Sequence, residues 1–85
     1  MSSHPTNFQG DVTQAIKESI ESGIEGATAQ VTGGGGHFSI EVVAGAFAGK
    51  SMLESQRMVY KTIAHLMAGD LAPVHAVDNL KTRAS

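Results

Sequence analysis

Hydrophobic positions along the chain change period twice, and each change marks an element. From residue 11 onward, Val12, Ile16 and Ile20 recur every four residues with Ala15 beside them, which predicts a short amphipathic helix over 11–23. Asp11 suits the N-cap, Gln14 three residues on suits the return bond of a capping box, and Gly23 suits a stop in the left-handed conformation. Lys17, Glu18 and Glu21 then form a solvated face. The period drops to two over residues 27–32, where Ala27, Ala29 and Val31 alternate with polar residues, and again over 38–43. There Phe38, Ile40 and Val42 point one way and Ser39, Glu41 and Val43 the other, as a half-buried strand requires. Between the strands stand Gly33-Gly34-Gly35-Gly36, whose freedom predicts a hairpin turning in a flexible loop, with His37 at its rim. The first strand's core face is thin, which places it against a crossing helix or at a sheet edge.

Ser51 with Glu54 is a second capping box, and it fixes the start of a long helix over Met52–Met67. Met52, Val59, Ile63 and Leu66 make its expected buried stripe, with Tyr60 and Met67 at the margins. Gly69 and Asp70 end it and Pro73 forbids continuation. A short strand over 74–77 follows, and 78–85 reads as a polar tail with Leu80 its one large apolar residue. The order α-β-β-α-β predicts an α+β domain, a three-stranded sheet with helices on one face. The hairpin pairs antiparallel, and the long helix between the second and third strands lets those run parallel.

Composition narrows the function classes. Eighty-five residues, 41% hydrophobic and 16% charged, make one globular domain, and no apolar run approaches the ~20 residues that span a bilayer. The first seven residues lack a basic start and an apolar core, so they read as a tail and not a signal peptide, which points to the cytoplasm. With no cysteine, disulfides and thiolate nucleophiles are excluded, and any metal must be held by His, Asp or Glu or with a partner's help. A net charge of −2 gives no global attraction to phosphate backbones.

Three groups of residues carry candidate chemistry. Gly49-Lys50-Ser51 follows a strand and opens a helix as a phosphate loop does, but Ala44 stands where that motif needs its first glycine, and a glycine-containing strand-to-helix turn is the simpler account. Arg57, Lys61 and His65 recur every four residues, with Lys50 near the helix start; they suit phosphates or an acidic partner, or are a solvated cationic stripe. His37 and His75 lie at or near the ends of different strands, and if those strands are neighbours the imidazoles reach one surface point. Two imidazoles suit zinc, copper or iron but do not complete a site of four ligands, so a partner would supply the rest. The alternatives are an exposed loop histidine at 37 and a semi-buried, backbone-bonded strand histidine at 75. No nucleophile has an evident partner triad, so enzymatic activity is not expected.

The run Phe47-Ala48-Gly49-Lys50-Ser51-Met52-Leu53, then Gln56-Arg57-Met58-Val59, and at a distance Val74-His75-Ala76-Val77, resembles the BolA family, over residues 8–82, with 1–7 and 83–85 as tails. The resemblance implies the BolA fold, similar in topology to class II KH domains. It also implies a partner, a monothiol glutaredoxin, in a heterodimer that holds a two-iron two-sulfur cluster shared with that partner's cysteine and with glutathione. The isolated chain, monomeric and away from membranes, would bind no cluster. The family's His-Ala histidine falls on His75, and its hairpin-loop ligand falls on His37. Some members are linked to stress response and transcription regulation, so a nucleic-acid-binding regulator using Lys50, Arg57, Lys61 and the glycine loop is the rival expectation. Ser55-Gln56 stand where many members have Arg-His, as in the IbaG-like branch, which removes positive charge and counts against DNA. The Pro-x-x-Trp-like segment common after the last strand is also missing, which implies a weaker cover near His75.

Overall fold

The computed structural model describes residues 10–85; the expected tail at 1–7 lies outside them. In chain order these form α1 (Val12–Gly23), β1 (Thr28–Gly34), β2 (His37–Val43), a 3-10 turn (Gly45–Phe47), α2 (Met52–Met67) and β3 (Ala76–Arg83). The sheet has the order β1-β2-β3, antiparallel between β1 and β2 and parallel between β2 and β3. This is the expected α+β arrangement. Among the described residues, no helix is long and apolar enough to cross a membrane.

The core is the meeting of three apolar faces. Ile16 and Ile20 of α1, Val59 and Ile63 of α2, and Val42 of β2 are fully buried, and Ala29, Phe38 and Ile40 complete the sheet's covered side. Asp11 caps α1 by accepting from the amides of Thr13 and Gln14. Its expected capping box is not closed, because the Gln14 side chain donates to Glu18 (3.1 Å) instead. Gly23 does end α1, though for another reason than a left-handed turn: a Cβ there would lie 2.6 Å from Thr62 Cγ2, so glycine is where α1 meets α2.

Lys17 and Glu21 are not a simple solvated face. β1 is an outer strand, and Ala29 turns its backbone away from β2. Its N–H donates to Glu21 Oε2 (2.9 Å), its carbonyl accepts from Lys17 Nζ (2.8 Å), and the two side chains pair at 2.7 Å. α1 thus satisfies an edge that would otherwise invite another strand. The Lys17 ammonium, and then the Ala29 amide, hold the Glu21 carboxyl below its ordinary pKa.

Two expectations fail at the surface. Met52 is not part of the buried α2 stripe but 68% exposed; Ser55, buried, takes the inward place on the first turn. Residues 78–85 are not a tail, since β3 runs to Arg83 and the Ala44 amide bonds the Arg83 carbonyl at 3.0 Å. The strand was hidden by a bulge: Val77 pairs with Phe38 and Asn79 with Ser39, so Asp78 is an extra residue that breaks the alternation.

Candidate functional site

The glycine tract places the two histidines. Gly33 and Gly34 belong to β1, where Gly34 pairs with His37, leaving a connection of only Gly35 and Gly36. Their φ values of 62° and 86° fit the primed turn that suits a twisted two-residue hairpin. The expected loop is therefore a tight turn. Its exit carbonyl, Gly36 O, accepts from both the His75 amide (2.8 Å) and the Ala76 amide (2.9 Å). Those bonds fasten the start of β3 beside the start of β2, one residue out of register with His37, whose strand partner is Ala76.

As a result the rings of His37 and His75 stand with centroids 5.6 Å apart and planes tilted by 54°. Both residues are exposed, and His75 lies just before β3 instead of inside a strand. The bulge adds a third group: Asp78 Oδ1 lies 3.1 Å from His37 Nδ1. A carboxylate there accepts from Nδ1–H and so selects the tautomer in which Nε2 carries the lone pair. Asp78 was missed in the sequence because it fell in the supposed tail. The signal was Asp78-Asn79 between Val77 and Leu80, two polar residues in a strand of period two.

This donor set fits a shared metal site and not a self-contained one. Among the described residues no three His, Asp or Glu side chains are placed to hold an ion, and the sequence has no cysteine. Two neighbouring imidazoles at an open rim leave the remaining positions to another molecule.

The other candidates lie elsewhere. Lys50 and Arg57 are exposed near the start of α2, which follows the far end of β2; the opposite end of α2 returns to the histidine rim through the Val74 amide on Leu66 O (3.0 Å). Lys61 is exposed at mid-helix, and His65 Nε2 lies 3.4 Å from Ser19 Oγ on α1. Lys50 and Arg57 therefore do not join the glycine turn in one patch. The phosphate-loop idea meets an occupied helix terminus: Ser51 Oγ accepts from the Glu54 amide (3.1 Å) and Glu54 Oε1 from the Ser51 amide (2.9 Å). A carboxylate already sits where a phosphate would, and Phe47 is buried as the corner's anchor. On the sheet face away from the helices, Gln30, Ser39, Glu41, Asn79 and Lys81 help line a shallow depression of about 210 Å³.

Comparison with known proteins agrees with this architecture. A family model described as BolA-like protein matches residues 6–85. The structure is similar to that of a bolA protein homologue from Coxiella burnetii, with 32% identity and a TM-score of 0.73 over 88% of this chain and 92% of that one. It is also similar to BolA1 from Mus musculus, at 26% identity and a TM-score of 0.68, covering 99% of this chain and 73% of that one. The XC975 protein matches at 35% identity and a TM-score of 0.60, over 93% and 95% of the two chains. No curated protein matches in sequence. With its element order, its parallel β2-β3 pairing and a family match over nearly its whole length, the chain belongs to the BolA-like family.

Proposed function

We propose that this protein is a cytoplasmic adaptor without catalysis of its own, monomeric when alone, that pairs with a monothiol glutaredoxin and shares a two-iron two-sulfur cluster with it for trafficking or sensing. His75 and His37 are the residues that would hold the cluster from this side. The observation that carries the reading is the rim itself: two exposed imidazoles 5.6 Å apart, one of them oriented by Asp78. The cluster would supply iron that accepts imidazole nitrogen, and the partner and glutathione the thiolates this chain lacks. The chain's own part is to fix the backbone at His75 through the Gly36 carbonyl and the His37 ring through the Asp78 carboxylate, so that less ordering entropy is lost on ligation.

The test mixes the purified protein with cluster-loaded monothiol glutaredoxin and records visible circular dichroism alongside size-exclusion elution. A 1:1 complex with a new spectrum is expected, and His75→Ala is expected to lose that spectrum while keeping the far-ultraviolet signal of the fold, since the side chain is exposed. Separate elution with the glutaredoxin spectrum unchanged would overturn the reading.

A further inference from the structure

The outward face of α2 joins apolar and cationic side chains in a way that neither the core nor the histidine rim uses. Met52 and Leu53, 68% and 58% exposed, stand on the first turn, and Tyr60 is 38% exposed two turns on. By helical spacing Leu53, Arg57, Tyr60, Lys61 and Ala64 share one side, and all five are exposed. Lys50 lies just before the helix, also exposed. Among the described residues, Lys50, Arg57 and Lys61 make no ion pair; Glu54, the acid closest in sequence, is bonded to the Ser51 cap and also feels the Lys50 charge. Exposed apolar side chains rimmed by charged ones are the composition of a protein-interaction site.

We infer that this face docks an acidic amphipathic helix of a partner protein. Leu53 and Tyr60 act as anchors for the partner's apolar stripe, and Lys50, Arg57 and Lys61 face carboxylates along its flanks. Charge chooses the occupant. A second copy of the chain, packing α2 against α2 about a two-fold axis, would set three cations against three with one carboxylate, Glu54, from each side, so cations outnumber acids and the surface is a poor match for itself. A phosphate backbone would satisfy the cations but offers Leu53 nothing apolar. Along the helix axis Leu53 lies about 21 Å and Lys61 about 9 Å from the end of α2 at Met67, beyond which the histidine rim lies. His37 and His75 are thus not part of this face.

The experiment uses the full chain and a fluorescein-labelled synthetic peptide of about 18 residues, helical, with leucines at i, i+3, i+4 and i+7 and glutamates beside them. Anisotropy is expected to show saturable binding that weakens with salt, falls about tenfold or more in Leu53→Ser as for truncation of an anchor, falls similarly in Arg57→Glu, and is unchanged in His75→Ala. A matched peptide with glutamine for glutamate is expected to bind weakly. Thermal melts of Leu53→Ser should match the parent, because the side chain is exposed. The inference is overturned if the acidic peptide does not bind or binds Leu53→Ser equally well. It is overturned too if light scattering shows a dimer that Leu53→Ser dissolves, which assigns the face to a second copy. Sedimentation with phosphatidylserine vesicles that depends on Leu53, with no peptide binding, assigns it to a membrane and rejects it likewise. Because His75→Ala leaves this readout untouched, failure here is separable from failure of the shared-cluster reading.

Discussion

Two adjacent glycines make opposite demands. Gly33 has φ +127°, and a Cβ there would lie 2.3 Å from the His37 carbonyl oxygen and 2.8 Å from Phe38 Cα, both backbone atoms that cannot move without breaking the hairpin. Gly34 has open space around it and an ordinary φ. Gly33→Ala is therefore expected to lower the urea midpoint sharply and loosen the rim, whereas Gly34→Ala is neutral or stabilising by about 0.5 kcal/mol through the unfolded chain. A neutral Gly33→Ala would show that the tract tolerates side chains throughout. Asp78 acts on the site through His37. Asp78→Asn keeps the shape but removes the charge at 3.1 Å from Nδ1, and it is expected to alter the His37 imidazole nitrogen shifts and to lower cluster retention in the glutaredoxin complex by about tenfold or more, with stability unchanged. Unchanged nitrogen shifts would remove its positioning role.

Elements here are held at their ends, and the ends are acidic. In α2 the Ser51 amide, then the Ser51 hydroxyl, hold the Glu54 carboxyl below its ordinary pKa; in α1 the Thr13 hydroxyl and the Gln14 amide do the same for Asp11; Glu21 is lowered by Lys17 and Ala29. A carboxylate with a depressed folded pKa contributes stability that is fully present above its unfolded value and is lost as pH falls through the folded one. Urea midpoints are expected to be insensitive to these groups above about pH 5 and to fall progressively below about pH 4. Glu54→Gln should flatten part of that fall; an identical acid profile would assign the loss to other groups. Separately, Ser51→Ala is expected to cost about 1 kcal/mol at neutral pH, because it leaves the Glu54 amide without its acceptor.

At the scale of the whole molecule one core serves every element, so its loss is global. Ile63 is fully buried in the cluster that joins α1, α2 and the sheet, and Ile63→Ala is expected to cost about 2–4 kcal/mol, a large share of the stability of a domain this size, read as a lower midpoint with an unchanged slope. A loss under about 0.5 kcal/mol would mean that the site collapses without a cavity.

The same scale separates what the chain states locally from what it does not. Signals carried within a few residues were legible: the period-four stripe of α1, the period-two alternation of β2, and the Ser51-Glu54 box that starts α2 at Met52 all act through neighbours in sequence. The α+β order and the parallel pairing of β2 with β3 followed, because a helix of that length allows such a crossover. What the sequence could not state was where a periodic pattern meets the edge of its partner. Met52 continues the α2 stripe in spacing but is left uncovered, and Gly23 is small because Thr62 approaches it from another element. β3 was lost past Val77 because the Asp78 bulge is defined only against β2. His37 and His75 were visible as candidates, but their approach depends on one carbonyl, Gly36 O, binding two amides from a distant segment. Short-range periodicity in the chain is enough for α1, β2 and the start of α2 and for most of the faces they bury; the extent of β3, the histidine rim and the uncovered face of α2 come from packing, since each depends on which distant segments the folded sheet brings together or leaves bare.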